Sequence, residues 1–123
     1  MKNAQEIKKG LAQFYGSQEY YRGLSSKVIF TEGAKYIADS CEAYWLIDAI
    51  TSHLIANRNL AGQDFILAKL TVKDGKGKLT FDDGNDNILD TQPLEYTDFP
   101  LDEISLYAVN DGQYWVILLP SEY

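Results

Sequence analysis

Apolar residues recur at Ile7, Leu11 and Phe14, with Ala4 one turn earlier. This spacing predicts a helix over Ala4 to Tyr15, terminated by Gly16. Ser17 is placed to cap a further helical turn through Glu19, Tyr20 and Tyr21, ending at Gly23. Val28 to Thr31 is a β-branched and aromatic run and is read as a strand, with Glu32-Gly33 breaking it. Ala34 to Asp39 alternates like a strand but leads into a helical segment, so it is assigned as helix. Asp39 with Glu42 three residues later resembles a capping box. Beyond it, Ala43, Leu46, Ile47, Ile50 and Leu54 mark one face of a helix running to about Ala56, with Trp45, Asp48 and Ser52 on another.

The period then changes. Asn57 to Asp64 is loop. Phe65 to Val72 and Lys78 to Asp82 are strands around a turn at Asp74 to Gly77. Asp83 to Asn87 is a polar loop, Pro93 to Tyr96 a candidate edge strand, and Asp98 to Asp102 an irregular corner. Ile104 to Val109 and Tyr114 to Leu119 form a second hairpin around Asn110-Asp111-Gly112, stopped by Pro120. Helices first and antiparallel hairpins afterwards predict an α+β fold, with N-terminal helices packed on one face of a C-terminal antiparallel meander sheet.

Composition bounds this picture. A chain of 123 residues suits one domain over residues 1–123, and at this size roughly two-thirds of the unfolded surface can be buried. The net charge of -7 opposes direct contact with nucleic acid phosphates and favours a basic protein partner. The Lys73, Lys76 and Lys78 group looks like a solvated hairpin tip. One cysteine allows no intrachain disulfide. The N-terminal stretch lacks a signal-peptide pattern, and no run is long enough to span a membrane, so the expectation is cytoplasmic.

Candidate chemistry is sparse. His53 is the only histidine, without a second ligand at helical spacing, so neither a metal nor any cofactor is expected. Cys41 sits near a helix start, where a thiolate is favoured, but it is also the kind of small residue that cores bury. Asp48 lies in an apolar run and, if half-buried, needs Arg22, Arg58 or a tyrosine as partner. Asp82-Asp83-Gly84-Asn85-Asp86 gathers oxygen ligands of the calcium kind without EF-hand spacing. Tyr96 to Glu103 is the most unusual passage. Its Tyr96, Asp98, Phe99, Asp102 and Glu103 combine aromatic anchors with acids and are the candidate partner-binding residues. The alternative for the same loop is a corner in which Phe99 and Leu101 plug the core.

Three segments carry a resemblance. They are Phe14-Tyr15-Gly16-Ser17 with Tyr20-Tyr21-Arg22; Phe30 to Tyr36 running into Ala43 to Ile50; and Tyr96-Thr97-Asp98-Phe99-Pro100-Leu101 with the terminal Leu119 to Tyr123. Together they resemble a family of small bacterial, phage and plasmid proteins known only as a domain of unknown function. That resemblance supplies no catalytic residues and implies a mobile-element setting. The leading expectation is therefore a non-enzymatic interaction protein that binds and blocks a basic site on a host protein, as an anti-CRISPR or anti-restriction inhibitor does. Two alternatives stand beside it. One is a small enzyme or ligand-binding domain with Tyr44, Asp48 and His53 around a pocket. The other is a self-associating structural protein, since a homo-oligomer is compatible with everything above.

Overall fold

Asn3 starts the first helix, α1 (Ala4–Leu11), by a two-way cap. Its side chain accepts from the Glu6 N–H at 2.9 Å and donates to the Glu6 carboxylate at 2.7 Å. The structure, a computed structural model, describes residues 2–14 and 19–123. The expected helix stop at Gly16 and cap at Ser17 lie outside the described residues, while α1 itself already ends at Leu11. The expected helical turn through Tyr21 is overturned. Tyr20–Arg22 is a strand, β1, paired antiparallel with β2 (Val28–Thr31), and Tyr21 lies opposite Phe30. Their ring centroids are 5.9 Å apart. A cross-strand aromatic pair and a sheet edge outweigh the local turn signal.

Thr31 ends β2 and starts α2 (Glu32–Ser40) without an intervening break. Its hydroxyl accepts from the Ala34 N–H at 3.2 Å and donates to the Glu122 carboxylate at 2.6 Å. Glu32-Gly33 is thus the first helical turn rather than a breaker. Asp39 does not cap the next helix. It lies on α2, ion-paired with Lys35 at 2.7 Å, and Glu42 at φ 50 makes the reversal between helices. The main helix, α3 (Tyr44–Ala56), begins after Ala43 without a side-chain cap. Leu46, Ile47, Ile50 and Leu54 are buried along the face their spacing predicted.

The sheet combines β1 and β2 with β3 (Phe65–Lys73), β4 (Lys76–Asp82), β5 (Ile88–Leu94), β6 (Glu103–Asn110) and β7 (Trp115–Leu118). Among the described residues its order is β1-β2-β7-β6-β3-β4-β5. The class is α+β as expected, but the sheet is mixed and not a simple meander, because β2 runs parallel to β7. Val28 and Phe30 are buried, and a strand with such residues gains more inside a sheet than beside one. The expected edge strand at Pro93 to Tyr96 is displaced to Ile88–Leu94. None of its residues is fully buried, so it lacks the apolar alternation that marks the inner strands, and Pro93 is tolerated because β5 is an edge.

Burial alternates along the inner strands. Ile66, Ala68, Leu70, Leu79, Phe81, Leu106, Ala108 and Ile117 join the buried faces of α2 and α3 in one core. The alternate positions form the sheet's other face. There the rings of Phe65, Tyr107 and Tyr123 meet edge to face at 4.9–5.6 Å.

Two stability outcomes follow. Leu46→Ala removes a side chain that is 1% exposed and is expected to cost roughly 2–5 kcal/mol, read from a chemical denaturation midpoint. At Gly33, a Cβ would lie 2.4 Å from the Glu122 carboxylate and 2.6 Å from Leu119. Gly33→Ala is therefore expected to cost roughly 1–3 kcal/mol and to speed hydrogen exchange at Leu119 and Glu122.

Candidate functional site

The corner between β5 and β6 is pinned at three points. The Thr97 N–H donates to Gly75 O at 2.7 Å, and the Val72 N–H donates to Asp102 O at 2.7 Å. Within the corner, the buried Thr97 hydroxyl accepts from the Phe99 N–H at 3.2 Å. Phe99 and Leu101 turn into the core, and Phe99 meets Trp45 edge to face with centroids 6.4 Å apart. Of the five candidate residues, Tyr96, Asp98, Asp102 and Glu103 are on display, Tyr96 with 79% of its surface exposed. Phe99 is corrected from surface anchor to core residue, since its ring is what seats the corner on α3. Glu103 opens β6 and reaches Lys69 at 3.4 Å.

Beside Tyr96 lies a cleft of about 240 Å³ lined by Trp45, Leu94, Tyr96, Thr97 and Asp98. Trp45 comes from the first turn of α3 and Leu94 from the end of β5. No sequence signal connected Trp45 with Tyr96. The lysines of the neighbouring hairpin lie on the sheet's other face. Lys69 and Lys73 alternate with the buried Ile66, Ala68 and Leu70, and their partners across the ladder are Thr80 and Lys76. Leu94 instead pairs with Gly77, on the helical side. Glu103 thus meets Lys69 on the lysine face, whereas Asp98 beside the cleft stands on the helical side of the sheet.

The other candidates do not converge. The Tyr44 hydroxyl donates to Asp39 at 2.5 Å, and the Lys35 ammonium lies 2.7 Å from the same carboxylate. Lys35, then Tyr44, hold the Asp39 carboxyl below its usual range. Asp48 is exposed, not half-buried, and needs no buried partner. His53 lies nine residues along α3 from Tyr44, about 13 Å of helix rise. Its Nε2 is 2.7 Å from Gln92 Oε1, and its Nδ1 is 2.8 Å from Asn57 Nδ2. Asn57 Oδ1 accepts from the Asn59 N–H, and Nδ2 donates to Asp90. This orientation makes Nδ1 an acceptor and puts the His53 proton on Nε2, donated to Gln92. Both ring nitrogens are thus engaged, and the ring sits 4.2 Å from that of Phe81. His53 ties the end of α3 to β5.

Cys41 is 1% exposed, and burial pushes its thiol from an ordinary 9.0 up to about 11. The helix-start thiolate is not formed. In the Asp82 to Asp86 loop, the carboxylates close turns on the backbone. Asp82 accepts from the Gly84 N–H, and Asp83 from the Asn85 N–H and the Asn87 side chain. Asn87 and Asn85 hold the Asp83 carboxyl below its usual range. Among the described residues no group of three His, Cys, Asp or Glu side chains is placed to hold a metal ion. No helix among them is long and apolar enough to cross a membrane.

Fold and site define an α+β protein with a mixed sheet whose displayed chemistry is a pinned aromatic corner with a shallow cleft. The chain belongs to the DUF6876 family, a family of unknown function, which it matches over residues 5–123. Among solved structures it is similar to a protein of unknown function from Enterococcus faecalis, with 22% identity and a TM-score of 0.53, over 76% of this chain and 87% of that one. This likeness is one of fold. Among curated proteins nothing matches.

Two outcomes test the Cys41 assignment. The folded protein is expected to resist thiol reagents at pH 8 and to react once denatured. Between pH 9 and 11 the unfolded chain releases a thiol proton that the folded chain keeps. Stability is therefore expected to fall as pH rises through that window, and Cys41→Ala to flatten the fall.

Proposed function

We propose that this is a non-enzymatic interaction protein whose Tyr96 corner docks on a basic site of another protein. In its concrete form it is a cytoplasmic, mobile-element inhibitor that covers the nucleic-acid-binding surface of a defence complex such as CRISPR or restriction machinery. The observation that carries the docking role is the display of Tyr96 beside Asp98 on a corner seated by buried Thr97, Phe99 and Leu101. A large aromatic that remains 79% exposed on a pinned loop is costly to leave in water and ready to bind without further ordering. The net charge of -7 supports a basic partner, because complementary charge speeds encounter and repels competing acidic surfaces.

The test is capture of the partner from the cell that encodes the protein, followed by binding kinetics on the purified pair. Asp98→Lys with Asp102→Lys is expected to slow association about tenfold at low salt, a difference that shrinks toward ~0.5 M salt as exposed charges are screened. Tyr96→Ala is expected to speed dissociation and to cost about 2 kcal/mol of affinity. Kinetics indifferent to all three substitutions, with the fold intact by circular dichroism, would remove the corner from the interface.

A further inference from the structure

We infer that the cleft between Trp45 and Tyr96 receives a single guanidinium group, an arginine side chain presented by the partner, with Asp98 as its counter-ion. The inference rests on the docking role proposed above and gives it a chemical specificity. Its first ground is size. At about 240 Å³ the cleft falls below the ~300–1,000 Å³ of sites that enclose whole small-molecule ligands, and it suits one side chain.

The second ground is the lining. Trp45 and Tyr96 offer aromatic surface to a cation, tryptophan being the best such partner among the side chains. Phe99 backs Trp45 edge-on, and the bond from Thr97 to Gly75 fixes the chain next to Tyr96. The lining is therefore held in place before anything enters. Leu94 adds apolar surface for the methylene stem that carries the charged head.

The third ground is charge. Asp98 lines the cleft, is exposed, and has no hydrogen-bond or ion-pair partner among the described residues. The hairpin lysines that could neutralise Asp98 alternate onto the other face of the sheet. A phosphate or carboxylate is repelled here, and a cation is drawn in. Arginine is favoured over lysine because its planar group stacks on rings while donating two parallel N–H bonds to one carboxylate, whereas an ammonium is a compact, strongly hydrated charge.

The test needs no partner protein. N-acetyl-arginine amide is titrated into isotope-labelled protein, and the two tryptophan indole N–H resonances are followed, assigned with Trp45→Phe. The Trp45 resonance is expected to shift saturably, with a dissociation constant on the order of millimolar, as one cation–π contact with one exposed ion pair allows. The Trp115 resonance is expected to stay in place. N-acetyl-lysine amide is expected to bind about threefold more weakly, and N-acetyl-glutamate amide not at all. Asp98→Asn, at an exposed position, is expected to weaken arginine binding about fivefold, and Tyr96→Leu to weaken it as well. A shift that never saturates, equal movement of both indoles, or undiminished binding by Asp98→Asn would overturn the assignment. If the Tyr96 and Asp98 variants lose a captured partner while the arginine amide fails to bind, the guanidinium specificity falls and the docking role stands. If the amide binds but the partner is indifferent to those variants, the docking role falls.

Discussion

Three residue pairs between β2 and β7 hold the N-terminal part of this protein to the rest of its sheet. Val28 faces Trp115, Ile29 faces Val116 and Phe30 faces Ile117, in parallel. A parallel neighbour cannot be reached by a tight hairpin and needs a crossover, which α2 and α3 begin. The Trp115 N–H donating to Lys27 O extends the ladder at one end. At the other end Glu122 closes it, accepting from the Thr31 hydroxyl and from the Gly33 and Leu119 N–H groups. A carboxylate at the start of a helix is favoured by the helix dipole as well as by those bonds. With β2 locked in this way, α2 and α3 are committed to one side of the sheet.

That commitment produces the corner. Trp45 reaches the Tyr96 loop only because α3 begins where β5 ends, and Phe99 packs edge-on against it from the core. The burial of Phe99 and the exposure of Tyr96 are two halves of one arrangement: the first ring supplies packing, and the second is left outside by it. The opposite end of α3 shows the contrast. There His53, Asn57, Gln92 and Asp90 satisfy one another, with little left over for a ligand.

Much of the fold was legible from residue spacing. The face of Leu46, Ile47, Ile50 and Leu54 and both long hairpins follow from period alone, because each buries a regular stripe. What escaped the reading has a common cause. β1 is three residues long and forms only because β2 is there to pair with. β5 is an exposed edge whose residues have no apolar rhythm to detect. The parallel β2–β7 contact joins segments far apart in sequence, where periodicity carries no information. In the site, the acids and the exposed tyrosine were visible as composition. Trp45 is invisible to residue spacing because its neighbourhood is tertiary, and Phe99 stays ambiguous in sequence because an aromatic beside acids suits an interface and a core plug equally well.

The β2–β7 pairing also fixes an order of assembly. The β3–β4 and β6–β7 hairpins close short loops and can form from local contacts, whereas β2 must wait for a strand that lies far later in the chain. Contacts that span so much chain carry the larger closure entropy and form late. Trp45, Tyr96 and Asp98 of the cleft all lie within the loop that this pairing closes. A nascent chain still lacking β7 thus holds every residue of the cleft before the pairing that encloses them can form, so the cleft settles only as that long loop closes.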